Sequence, residues 1–557
     1  MTPTPNQIAA VLASASALAI GAGLTRAPAN ALRHRMNGAP TMVAQPASMP
    51  VIEERVLENG FRLLLVEDHR APRVAANLWI RVGSIAEPVG LHGITHFLEH
   101  ALHQGSTTFG TTNLRAELPL LARIDATEQR LIAAQRRERN GFRQRNVFYD
   151  ELAWPSTREI DSLRTELYHL EDEDSRYREF WESYQEYMRY GGQTRHTDPV
   201  PASTEQEYME IGMALPKNAL ELFFRVEADR LANAVLRGWE AQRFTVLEQI
   251  LGARGRPQIR FNEAIDAVTG VSHPVFQPDG GHPRDFANFT RAAMIDIYER
   301  YFVPNNVTLV LVGDFSLAEA VPLAERYFGR LPRGPEPPAD LDLEAEMFPS
   351  GAVRLDWAEP LSPQVHVRFR IPGIGHPDRP IVDVIAALLT GPAGMASQRL
   401  KTKGSAHADF RVIHTNRFGS TAGLNLVANG TSDGDLPEIE RGLLAAIDDL
   451  REGRLDRSAL ERARKRLRLE WAKTLNRPAE LAFVIGHYHT MNHWTTLPDL
   501  LRARDSATVD QIVRVARTYL LPSNRVIAVA RAVPAPGSGP IWLDSAWAPL
   551  RTGAPSR

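Results

Sequence analysis

The sequence predicts a duplicated α/β unit, with one copy enlarged by a helical insertion. Three observations carry this. A closing signature occurs twice, as Tyr301-Phe302-Val303-Pro304-Asn305-Asn306 and as Tyr519-Leu520-Leu521-Pro522-Ser523-Asn524, each followed by a short apolar run that reads as a strand. An opening strand also occurs twice, at residues 73–83 and 364–373. The closing signatures lie 218 residues apart and the opening strands about 291, so the first copy holds about 73 extra residues.

The elements follow in order. Residues 8–24 form an uncharged Ala/Leu/Ile run, and Ala29-Asn30-Ala31 is a small-x-small cleavage pattern. A run of seventeen uncharged residues is short for a spanning helix and suits the apolar region of a signal peptide (residues 1–31), although residues 1–7 carry no Lys or Arg. The expectation is export, to the periplasm or beyond, with no membrane span after processing. Residues 61–66 and 74–82 read as strands separated by a turn at 68–72. The insertion occupies about residues 113–190, where 114–139 and 156–189 are charged and helical in pattern, with Leu118, Leu121, Ile124 and Leu131 at helical spacing. Residues 215–231 read as an amphipathic helix. The first half, 50–330, ends in a Pro-rich linker at 331–345, and the second half spans 346–535 before a tail.

Composition sets limits. A chain of 557 residues is too long for one core. A net charge of −2 gives no reason to expect a nucleic-acid partner. With no cysteine, zinc–thiolate sites and thiol catalysis are excluded, leaving His and carboxylate as metal ligands.

The chemistry concentrates in His92, His96, Glu99, His100 and His103. On a helix His96 and His100 share a face and Glu99 lies beside them. Two imidazoles can then hold one zinc ion while the carboxylate reaches a water on it, the inverted H-x-x-E-H order. His92 and His103 fall on the same helical face, where they either hydrogen-bond to a metal ligand or ligate directly.

These residues resemble the insulinase-like (pitrilysin, M16) metallopeptidase family, in a bacterial branch with a helical insertion. The carriers are His96-Phe97-Leu98-Glu99-His100, Gly105-Ser106-Thr107, residues 215–231, residues 301–313 and the duplicated halves. The resemblance implies an α+β fold of two homologous halves, each a mostly antiparallel sheet with packed helices. It implies a zinc-dependent endopeptidase acting on peptides or unfolded polypeptides, closing with a second M16-like subunit or a second copy of itself. Carried over, His96 and His100 are zinc ligands and Glu99 is the general base. The family takes its third ligand from a downstream helix. Here Gln249 occupies that position and Glu248 precedes it, so Glu248, Gln249 or an extra histidine completes the site. The family's Arg/Tyr pair for the substrate carbonyl falls near Lys403 and His407. The substrate-edge motif is altered to Gly191-Gly192-Gln193-Thr194-Arg195-His196. These departures leave a second expectation open: an inactive or weakened M16-like subunit serving as a binding partner.

Overall fold

Two mixed sheets organise the protein, and the second repeats the first almost strand for strand. The structure is a computed structural model and describes residues 49–144, 156–179, 183–194, 202–269, 280–338, 352–391, 393–401, 408–413 and 423–533. The first sheet contains β1 (Glu53–Val56), β2 (Arg62–Glu67), β3 (Arg73–Ile80), β4 (Ala202–Thr204), β5 (Met209–Pro216) and β6 (Val307–Gly313), in the order β1-β2-β6-β3-β5-β4. The second contains β7 (Val353–Asp356), β8 (Gln364–Arg370), β9 (Ala408–Ile413), β10 (Gly423–Asn429) and β11 (Arg525–Ala530), in the order β7-β11-β8-β10-β9. One parallel pair occurs in each, β2 with β6 and β7 with β11, and every other pairing is antiparallel. Apart from β1, the second order is the first over again.

The duplication reaches individual hydrogen bonds. Asn306 Nδ2 donates to the carbonyls of Tyr301 (2.9 Å) and Arg81 (3.3 Å). Asn524 Nδ2 donates to those of Tyr519 (2.6 Å) and Arg370 (3.0 Å). The asparagine of each closing signature therefore ties the helix end to the strand that opened its own half.

Side-chain alternation explains why the central strands of the first sheet read as continuous apolar runs. Leu63, Leu65, Leu309 and Leu311 face a core formed with the helices of the first half. Leu64, Val66, Val310 and Val312 face the other way, onto Ile485, Leu481 and Trp471 from the second half. A sheet covered on both faces needs apolar residues at every position. The cover is reciprocal. The Pro478–Met491 helix lies on the first sheet, while Phe261, Ala264 and Ile265 of the Pro257–Thr269 helix pack on Leu355, Trp357 and Ala528 of the second.

The inserted segment forms two packed helices, Leu114–Gln144 and Arg158–Ser175, sharing a small core that includes Leu121, Ile124, Leu163 and Leu167. One expected element shifts. Residues 215–231 do not form one helix: Leu215 and Pro216 end β5, and the helix is Leu220–Asn233. Pro216 explains the boundary, since it cannot donate into a helical turn and its ψ of 143° is extended. Residues 1–31, with the signal-like run, lie outside the described residues. Among the described residues no helix is long and apolar enough to cross a membrane.

Candidate functional site

The H-x-x-E-H turn sits on the helix Ile94–Leu102, which follows β3. Its apolar face (Ile94, Phe97, Leu98, Ala101 and Leu102) is buried in the first-half core, where Phe97 stacks on Phe289 at 5.7 Å between ring centroids. The helix begins at Gly93, whose φ of 102° is left-handed and which packs against the backbone of Gly280 and Gly281.

That anchoring orients the polar face. The His96 and His100 rings lie 5.1 Å apart at 69° to each other. Burial, and then the neighbouring His100, hold His96 down at about 4, so it is neutral at pH 7. Its Nδ1 is shielded from solvent and has no hydrogen-bond partner among the described residues. Glu99 is buried, and its Oε2 accepts a 2.6 Å hydrogen bond from the Thr204 hydroxyl on the edge strand β4. Burial pushes the Glu99 carboxyl up to about 7; the Thr204 bond opposes this, Glu205 and Glu210 add to it, and Arg230 opposes it. A carboxyl poised near neutrality, beside a neutral imidazole, is equipped to take up or release a proton.

The outer histidines diverge. His92 precedes Gly93 and so lies outside the helix. Its ring meets that of His282 edge-on at 5.6 Å, and its Nδ1 lies 3.9 Å from Glu87 Oε2. His103, just past the helix, is buried and kept neutral by burial, by Arg230 and by His100. Arg230 in turn pairs with buried Glu227 at 3.2 Å, which accepts a 2.5 Å bond from Tyr187.

The helix Trp239–Arg254 packs beside the motif helix, as a third ligand would require. Its buried residues there are Val246 and Ile250, whereas Glu248 and Gln249 are exposed. At about 100° per residue, Glu248 lies diametrically opposite the direction of Val246 and Ile250, and Gln249 lies about 80° from it. Among the described residues no three His, Asp or Glu side chains are grouped to hold a metal ion. A catalytic zinc site takes three protein ligands. The described residues supply two imidazoles and a base, and do not complete that set. Lys403, His407, Arg195 and His196 lie outside the described residues. Gln193, before them, makes a backbone bridge to Ala214 on β5.

Sequence reasoning missed two carboxylates beside the turn. Glu87 accepts from Gly93 N (2.7 Å), Thr95 N (2.8 Å) and Thr95 Oγ1 (2.5 Å). Asp285 accepts from His92 N at 3.1 Å. Glu87 carried a signal, a carboxylate just ahead of a glycine-started helix, whereas Asp285 lies 193 residues from its partner and carried none.

The fold and the turn point to one class, and two segments of the chain match models of the insulinase-like M16 peptidase family. Residues 62–126 match the family described as Insulinase (Peptidase family M16), and residues 288–467 match the Peptidase M16 inactive domain. Among individual relatives, it is 22% identical to the zinc protease PqqE of Helicobacter pylori, over 45% of this chain and 56% of that protein. It is 21% identical to Protease 3 of Escherichia coli K12, over 72% of this chain and 35% of that protein. The matched regions thus span about half or less of these relatives. A crystal structure of a Helicobacter pylori protease superposes with a TM-score of 0.65 at 16% identity, covering 87% of this chain and all of that one.

Proposed function

We propose that the chain is a peptide-binding half of an M16-type chamber, with an H-x-x-E-H turn that holds zinc weakly. It works with a second M16-like half, either another chain or a second copy. One observation carries this: Glu248 and Gln249 are both exposed, and among the described residues no third His, Asp or Glu joins His96 and His100. Position 249, which the family gives to a glutamate, holds a neutral amide and so supplies no charge to the metal. The peptide-binding part rests on β4, a three-residue strand beside Glu99 that ends the first sheet among the described residues, where an extended chain can pair. The match to only 35% of Protease 3, a longer relative, supports a need for a second half. The apolar leader supports an exported protein.

A second reading, a self-sufficient zinc endopeptidase, is favoured by the intact His96, Glu99 and His100 face. There Glu99 is the general base. Metal analysis and peptide cleavage separate the two. The first reading expects well under one zinc per chain and no cleavage by the protein alone. One zinc per chain, with cleavage lost in Glu99→Gln, supports the second instead.

A further inference from the structure

Two buried carboxylates grip the start of the motif helix. Glu87, on the loop after β3, spends both oxygens on the helix: Oε2 accepts from Gly93 N, and Oε1 from Thr95 N and Thr95 Oγ1. Asp285, on the turn that leads to the Arg291–Tyr301 helix, accepts from His92 N. Beside them, at His92, Gly281 sits so close that a Cβ there would meet the His92 carbonyl oxygen at 2.0 Å, and His282 N donates to that same carbonyl at 3.3 Å.

A helix start has backbone N–H groups with no partner inside the helix, and an N-cap side chain normally satisfies one. Here the N-cap is Gly93, which has no side chain to offer. Glu87 does that work from six and eight residues upstream. All three groups it accepts from are donors, which suits a carboxylate, but burial outweighs these bonds and, with Asp285 nearby, pushes the Glu87 carboxyl up to about 7. Thr95, gripped through both N and Oγ1, is the residue immediately before His96.

We propose that Glu87, with Asp285, positions the H-x-x-E-H turn. The pair fixes the height and rotation of the helix start, and so sets where the His96, Glu99 and His100 side chains project. Neither is a catalytic residue, because both act through the backbone of residues 92–95. The inference rests on the proposed reading that His96 and His100 take zinc weakly, and it extends that reading to what holds the two imidazoles in register.

The test uses the full chain, zinc alone as the probe, and three variants: Glu87→Ala, Glu87→Gln and the distant core control Leu443→Ala. Zinc affinity is measured by calorimetry, and hydrogen exchange is followed across residues 94–102. Groups that orient metal ligands typically change affinity roughly ten- to a hundredfold. The expected result is a drop of about tenfold or more in Glu87→Ala, with amide protection lost across 94–102 and kept in β6. Glu87→Gln, which retains one acceptor oxygen, recovers part of both. Leu443→Ala lowers Tm and leaves zinc affinity unchanged. A folded Glu87→Ala protein with wild-type protection across 94–102 would overturn the proposal, as would a Leu443→Ala control that loses zinc affinity equally. If the wild-type chain takes up no zinc, the weak-binding reading fails, and the exchange measurement alone decides the role of Glu87.

Discussion

Replacing Gly486 with alanine should loosen the join between the two halves. Gly486 lies in the Pro478–Met491 helix, where it faces Trp79 of β3. A Cβ there would lie 2.0 Å from Trp79 Nε1, 2.3 Å from Cε2 and 2.7 Å from Cδ1. Ordinary carbon contacts need about 3.5 Å, so the ring or the helix must shift by more than ~1 Å. The ring has little room: Trp79 is 1% exposed, with Tyr208 at 4.8 Å and Phe483 at 5.3 Å between centroids. Overpacking of this kind costs about 1–3 kcal/mol, and more where nothing yields. Helix propensity acts in the other direction, since alanine is better than glycine by about 1 kcal/mol. The clash should win, leaving Gly486→Ala less stable by about 2 kcal/mol in urea unfolding. Exchange protection should fall first in the 478–491 helix. A variant about 1 kcal/mol more stable than wild type would follow propensity alone, and would show that this helix does not sit on Trp79.

Glu99 should give a pH-dependent stability. Its folded value of about 7 lies above the ordinary 4.5, so between these pH values the folded protein holds a proton that the unfolded chain releases. Its contribution is therefore most favourable below pH 4.5 and is lost as pH rises through 7, about 3 kcal/mol in all. Glu99→Gln should gain on wild type by up to that amount between pH 5 and pH 8 in denaturant melts. A constant difference across that range would rule out the raised value. Arg237→Ala strands the fully buried Glu117, to which Arg237 Nε donates at 2.5 Å, and should cost about 3–5 kcal/mol. The double variant with Glu117→Leu should recover much of that loss, and a single-variant cost below 1 kcal/mol would refute the pairing.

Much of the fold was legible because repeated segments make repeated bonds. The Asn306 and Asn524 signatures pointed to two equivalent helix-to-strand junctions, and each asparagine does tie a helix end to the opening strand of its half. The motif helix was legible from its 3.6-residue periodicity. The helix expected at residues 215–231 was misjudged at its start, because Leu215 continues the buried alternation of β5 and Pro216 blocks helix entry. Contacts between distant segments left no local signal. Thr204 reaches Glu99 across 105 residues, and Asp285 reaches His92 across 193. The orientation of Glu248 could be read only once Val246 and Ile250 were seen to be buried, since either face of that helix could have turned inward.

Zinc stoichiometry of the purified chain tests the central claim most directly. Wild type and Gln249→Glu would be equilibrated with zinc, washed by gel filtration and analysed for metal. A weakly binding turn lacking its third ligand predicts well under one zinc per chain in wild type, and no rise to one in Gln249→Glu, because side chain 249 is exposed and turned about 80° from the buried face. One tightly held zinc in wild type, unchanged by the substitution, would contradict it.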